Sequence, residues 1–257
     1  MNYYMVEFDY EHDKYKMYKK MSEVLIKSII KHDPTANIKI DYIEAPKIKI
    51  LRKAYVYTNT EKLKYWVDYI NNIEDNTVLL DVDMVLNKPI NDVFNKDFDV
   101  AITTRENDTF YRNNTKAPIN GGVIFVKPTE GARQYFKDFY EINDKMLNDF
   151  QLLHQWQEEC VGMNQAAMQY LRKNPSDKYN ILELPTLYYN LCPPEYKSFD
   201  PDKTSFIHLK SHLREQIFRF YKKRGEYKIK KNKIPDRYKN EAVLFNVWKG
   251  YHDAEEV

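Results

Sequence analysis

"NTVLLDVDMVLNKPI", residues 76–90, is the stretch on which the fold turns. An apolar run that reads as a buried strand is broken by Asp81 and Asp83, one residue apart, and resumes at Met84, Val85 and Leu86. Isolated buried charges are costly, so carboxylates in such a place are paired, hydrogen-bonded or holding a metal. Side chains alternate faces along a strand, so this spacing predicts that both carboxylates point the same way. They stand at the carboxyl end of the run, where open α/β sheets bind their ligands. Two hard oxygen ligands with room for water suit Mg²⁺ or Mn²⁺ bridging a diphosphate. The plainer reading is a pair of solvated or helix-capping aspartates, and an Asp-x-Asp alone does not separate the two.

Outward from this stretch, strands and helices alternate. "YYMVEF" reads as a first strand. It is followed by a helix with Met17, Met21, Val24, Leu25 and Ile29 at helical spacing, stopped by Pro34. "NIKIDYI" is a second strand, and "TEKLKYWVDYINNI" a second helix, with Thr60 as its expected N-cap. Beyond the carboxylates come the strands "DFDVAIT" and "GGVIFVK", the helices "EGARQYFKDFYEINDKML" and "VGMNQAAMQYLRK", and the strands "NILEL" and "SFIHL". This order predicts an α/β sheet with helices on both faces.

Composition narrows the function. The chain has 257 residues, 43% of them apolar and 30% charged, enough for a sizeable core. It holds only six glycines, with no G-x-G-x-x-G after the first strand and no P-loop, which argues against a Rossmann dinucleotide site or a nucleoside triphosphatase. Two of those glycines adjoin in "APINGGVIFVKP", a pairing expected to open a strand through a tight turn or a close ligand approach. Two cysteines, Cys160 and Cys192, are too few for a disulfide framework or a cysteine zinc site. No apolar run reaches the roughly 20 residues that cross a bilayer, and "MNYYMVEFDYEHDKY" lacks a signal-peptide layout. A cytoplasmic, reducing setting is expected. The net charge is only +2, yet residues 219–239 carry ten Lys or Arg against Glu226 and Asp236. That asymmetry predicts a domain over residues 1–218 and a basic extension over 219–257 that touches an anionic surface.

Five blocks in order carry a resemblance. "EKLKYW" (61–66), "VLLDVDMVLNKPINDVF" (78–94), "INGGVIFVKPT" (119–129), "GMNQAAMQYL" (162–171) and "FIHLKSHLR" (206–214) resemble the metal-dependent GT-A glycosyltransferases. They are most similar to family 8, the glycogenin-like pattern: a Lys-Leu-x-x-Trp helix, a D-x-D, and "FNSGV"-, "GDQ"- and "HFxGxxKPW"-like blocks. The resemblance implies a Rossmann-like mixed sheet flanked by helices. It implies a nucleotide-diphosphate sugar as donor, a UDP-sugar foremost, and Mn²⁺ or Mg²⁺ as cofactor. By position Asp81, Asp83 and His208 match the metal ligands. Asp81, Lys62, Asn120, Lys210 and Arg214 match donor contacts, and Asn164 and Gln165 match the block at the reacting sugar. The family aspartate of that last block is Asn164 here, the glycine after the histidine is replaced, and no Pro-Trp follows Arg214.

The chemistry fits the transfer. Breaking a sugar–diphosphate bond leaves negative charge on the departing nucleotide, which a divalent ion and Lys or Arg stabilise as it develops. An inverting enzyme also needs a carboxylate base, for which Glu158, Glu159 and Asp108 are available; retention, towards which the resemblance leans, needs only polar groups such as Asn164 and Gln165. Each residue also has a bland reading: His208 and Trp66 as core, Lys62 and Gln165 as solvated helix positions, Asn120 as a turn residue. In "FIHLKSHLR", an extended segment would put His208 and Lys210 on one face. Two other functions compete. "LLDVDMV" fits the nucleophile motif of haloacid-dehalogenase-type phosphatases, but stands far from the start of the chain and lacks a later acidic pair after a glycine. "RFYKKRGEYKIKKNK" fits a nucleic-acid-binding module, yet leaves the Asp-x-Asp series unexplained. The acceptor, whether glycan, lipid or protein, is not legible.

Overall fold

Alternation in the first strand sets up a sheet with two buried faces. The structure is a computed structural model that describes residues 1–10, 16–45, 51–105, 110–111, 115–223 and 239–254. Along β1 (Asn2–Asp9), Tyr4, Val6 and Phe8 face one hydrophobic core while Tyr3 and Met5 face another. After α1 (Met17–His32) comes β2 (Asn37–Glu44), which pairs parallel with β1. Next are α2 (Leu51–Ile70), β3 (Thr77–Leu80), β4 (Met84–Leu86) and β5 (Val100–Thr104). The short strands β6 (Phe110–Tyr111) and β7 (Thr115–Lys116) form a hairpin ahead of β8 (Ile119–Val126). Helices α3 (Glu130–Asn148), α4 (Phe150–Glu159) and α5 (Met163–Lys173) precede β9 (Ile181–Pro185). The chain closes with α6 (Thr186–Tyr189), β10 (Phe206–His208), α7 (Ser211–Lys222) and α8 (Lys239–His252).

Six strands form the main sheet in the order β2-β1-β3-β8-β5-β9. The pairs β1–β2, β1–β3 and β5–β9 are parallel, and β8 runs antiparallel between β3 and β5. This is the mixed α/β sheet expected from the alternating pattern. On one face, Leu63, Trp66 and Ile70 of α2, Phe136 and Phe139 of α3, and Ala166 and Leu171 of α5 close the core. On the other, Leu25 and Ile29 of α1 pack with Val78, Leu80, Val123 and Phe125. Leu213, Ile217 and Phe220 of α7 and Leu244, Phe245 and Trp248 of α8 add a third cluster against Met21 and Val24.

Several boundaries differ from the sequence reading. Thr60 caps nothing: α2 starts at Leu51, and the Thr60 hydroxyl accepts from Asn143 Nδ2 inside the core. The α4 helix was not expected, although Asp149 caps it by accepting from both Gln151 N and Leu152 N at 3.0 Å. The segment after His208 is not extended. It turns at Lys210 and enters α7, an amphipathic helix whose apolar residues Leu213, Ile217 and Phe220 repeat at helical spacing. That helix runs through residue 218 into Arg219 and Lys222, and α8 returns to pack against α1 and α7. Most of the basic stretch, residues 224–238, lies outside the described residues. No helix among the described residues is long and apolar enough to cross a membrane.

Candidate active site

Leu80, the last residue of β3, pairs with Met5 on one side and Val123 on the other, and there the chain leaves the sheet. Asp81 and Asp83 therefore flank a break between β3 and β4 and do not lie within one strand. They still converge, because backbone bonds hold both ends of the break. Asp81 N donates to Gly122 O, and Leu209 N donates to Asp83 O. The β4–β10 ladder sets His208 opposite Met84, so the histidine arrives beside Asp83 across an antiparallel pairing. Its Nε2 lies 3.2 Å from Asp83 Oδ1 and 3.5 Å from Asp81 Oδ2. One ligand atom from each of the three residues lies within 4.8 Å of the others. Such a set of two carboxylates and an imidazole fits a divalent cation, and the imidazole suits Mn²⁺ better than Mg²⁺.

Gly122 explains the glycine pair. A Cβ there would sit 2.3 Å from His208 Cε1 and 2.4 Å from its Nδ1, which no side chain tolerates. Both glycines lie within β8, where they do not open the strand, and the group that needs the space at Gly122 is the imidazole, not a ligand. His208 is fully buried, as its core reading expected, but both ring nitrogens face polar partners: Nδ1 lies 3.1 Å from Asn190 Oδ1.

Three cations surround the carboxylates. Lys62 Nζ donates to Asp81 Oδ1 at 2.6 Å and lies 4.5 Å from the centre of the Trp66 ring. Arg214, in the first turn of α7, stands 3.3 Å from Asp83 Oδ2 and donates to Tyr18 Oη. Lys210 Nζ reaches Asn120 Oδ1 at 3.5 Å. Burial alone would push both carboxyls up. Lys62 and His208 beside Asp81, and His208 and Arg214 beside Asp83, outweigh it and hold both below the usual carboxylate range. Burial pushes the His208 imidazole down, which favours the neutral form a metal ligand requires.

These groups line a cleft of about 300 Å³. Val6, Phe8, Tyr10 and Tyr18 form one wall, and Asn164, Gln165 and Met168 another. Asn164 Nδ2 donates to Asn59 O at 3.0 Å, and its buried Oδ1 has no partner. Gln165 packs over Gly162, whose φ of 101° favours glycine. A smaller cavity of about 100 Å³ adjoins the cleft, shares Gln165 and Lys210 with it, and is bounded by Arg105, Asn120 and Cys192. Trp66 is both core and cleft wall.

Eight of the nine candidate residues from the sequence thus border this cleft or the cavity beside it; the ninth, His208, is fully buried next to Asp83. Two of the candidate bases, Glu158 and Glu159, border neither. Glu158 is exposed and pairs with His154, and Glu159 pairs with Lys173. Asp108 lies outside the described residues. Sequence reasoning missed the aromatic wall of Phe8, Tyr10 and Tyr18, and also Arg105, Thr103 and Asn190. Phe8 and Tyr10 had a signal, since they stand at the carboxyl end of β1, which meets the site. Asn190 in "YYNL" had none beyond a helix stop.

A mixed sheet of this order, with a carboxylate pair at the end of its central strand, defines the GT-A type of nucleotide-sugar enzyme. The profile of the nucleotide-diphospho-sugar transferase family matches residues 64–212, more than half of the 257 residues, and the chain belongs to that family. It is a glycosyltransferase, and the phosphatase reading falls. A sequence search of curated proteins gives no match. Among solved structures, a glycosyltransferase involved in glycosylation of the major capsid of PBCV-1 superposes with TM-score 0.56 at 14% identity, over 86% of this chain and 100% of that one. GlyE of Streptococcus pneumoniae TIGR4 gives TM-score 0.55 at 13% identity over 99% of this chain, which spans 61% of GlyE. The galactosyltransferase LgtC, solved with donor and acceptor sugar analogues, gives 0.50 at 11% identity over 94% of this chain and all of LgtC. At these identities the likeness is one of fold.

Proposed function

We propose that the protein transfers a sugar from a nucleotide-diphosphate donor to a glycan, lipid or protein acceptor, with a divalent cation held by Asp81, Asp83 and His208. The convergence of those three residues at the cleft, from segments far apart in sequence, carries the reading. Bound there, Mn²⁺ or Mg²⁺ supplies Lewis-acid stabilisation of the charge that develops on the leaving diphosphate. Lys62, Lys210 and Arg214 pair with the same phosphates, the guanidinium in bidentate fashion. Phe8, Tyr10 and Tyr18 provide an aromatic wall for the base, and the family 8 resemblance favours a UDP-sugar. Asn120, Asn164 and Gln165 face the sugar, where the unpartnered Oδ1 of Asn164 accepts from a sugar hydroxyl.

Retention is the stereochemistry towards which the family 8 resemblance leans. Among the described residues lining the cleft and its side cavity, Asp81 and Asp83 are the only carboxylates, while Asn164 and Gln165 offer the polar groups that retention uses. Two buried free cysteines agree with a reducing, cytoplasmic setting. The basic residues 219–239 would recruit an anionic acceptor or surface, and neutralising the lysines and arginines beyond Lys222 should weaken a salt-sensitive association while leaving donor affinity unchanged. The central reading is tested by screening nucleotide sugars for hydrolysis and thermal stabilisation with and without Mn²⁺. Metal-dependent turnover of one donor supports it; turnover that survives full chelation overturns it.

A further inference from the structure

Asn190 follows α6 and is fully buried, 18 residues before His208. Its amide is engaged on both ends. Oδ1 lies 3.1 Å from His208 Nδ1, while Nδ2 donates to Asn120 O at 2.9 Å and to Thr103 Oγ1 at 2.8 Å. The Thr103 hydroxyl gives its own proton to the same Asn120 carbonyl at 2.7 Å, so towards Asn190 it can only accept. Both neighbours of Nδ2 are thus acceptors, and a flipped amide would set oxygen against two oxygens. The backbone carbonyl of Asn120 therefore dictates which way the amide points.

The consequence passes to the histidine. An amide oxygen only accepts, so the nitrogen facing it, Nδ1, carries a hydrogen. In a neutral imidazole Nε2 then holds the lone pair, and Nε2 is the atom aimed at Asp83 and Asp81. A lone pair directed at two carboxylates is satisfied by a cation placed among them. We infer that Asn190 is a positioning residue that holds His208 in the Nδ1–H tautomer and presents Nε2 to a divalent cation, anchored through Asn120 O and Thr103. This rests on the metal site proposed above. It also joins that site to the side cavity, because Asn120 borders the cavity and its side chain receives Lys210.

The test uses the whole protein without donor and reads free Mn²⁺ by electron paramagnetic resonance. Asn190→Leu keeps the number and branching of side-chain heavy atoms but accepts no hydrogen bond, and should weaken Mn²⁺ binding about 10- to 100-fold. Asn190→Asp restores an acceptor for Nδ1 and should recover part of that loss, which a packing role would not do. Thr103→Val leaves the Asn120 anchor in place, should show a smaller loss in the same direction, and serves as the test if the Asn190 variants do not fold. Ring ¹⁵N shifts of His208 in the metal-free protein should report a protonated Nδ1. A protonated Nε2 with a bare Nδ1, or an Asn190→Leu protein that folds and binds Mn²⁺ as tightly as the parent, overturns the role of Asn190 while leaving the metal site standing. If the parent binds Mn²⁺ no better than Asp83→Asn does, the metal site itself fails, and this inference with it.

Discussion

The surroundings of His208 and the layer where α7 and α8 meet α1 are both buried, but are held by different forces. Around His208, five polar residues (Asp83, Thr103, Asn120, Asn190 and the histidine) are each at least nine-tenths buried, and directional hydrogen bonds fix their places. In the helical layer, Trp248 packs between Phe245, Phe220 and Tyr221 with ring centroids 5.4 to 5.7 Å apart. Packing of that kind is non-directional and scales with buried area. The contrast teaches where substitutions should register: as lost function around the histidine, and as lost stability in the layer.

The largest effect should follow Asp83→Asn. Removing one charged ligand should lower turnover by about 10³-fold with the melting temperature held, and chelation should do the same to the parent protein. Circular dichroism alongside a donor-hydrolysis assay checks both halves. In the other region, Trp248→Ala should cost about 3–5 kcal/mol in urea unfolding, while the activity of each folded molecule stays near the parent value. A large loss of specific activity there would break the division between the two regions, and would tie α8 to the cleft.

Gly122→Ala sharpens the comparison from inside the polar cluster. The new methyl takes the space of the His208 ring, which Asn190 holds at Nδ1 and Asp83 flanks at Nε2. Metal affinity should fall by about 10- to 100-fold, as when the support of a ligand is removed. Calorimetry with Mn²⁺ reads it, and unchanged affinity would show that the ring is freer than its bonds indicate. Arg214→Ala should weaken binding of a nucleoside diphosphate by roughly tenfold, the scale of one charge-assisted contact, and leave the bare nucleoside nearly unaffected. The smallest effect belongs to His212, on the same turn of α7, which bonds Gln216 and lines neither cavity. His212→Ala should leave turnover within about twofold, because the side chain reaches neither the carboxylates nor the cleft. If it proved more damaging than His208→Ala, the placement of the whole 206–214 block would be wrong.

The sequence by itself determined the class of fold, because period-two and helical spacing record which face of each element is buried. It also held the residue types of the site, since Asp81 and Asp83 interrupt an apolar run that physics would otherwise keep apolar. It could not determine how those residues meet. The carboxylates converge because β3 ends at Leu80 and β4 pairs with β10, a contact across more than a hundred residues that leaves no local pattern. Gly122 read as a turn former because the ring that needs its space lies far along the chain. Thr60 read as a cap because Thr before a charged, periodic stretch is a local signal, and the chain upstream of it turned out to be helical too. The basic stretch read as a separate tail because composition changes there, while α7 carries the first of those charges on a helix whose other face is core. Asn190 shows the limit most plainly. Its type is ordinary, and its orientation is imposed by a carbonyl and a hydroxyl from two other strands, so only the assembled structure decides what it does to His208.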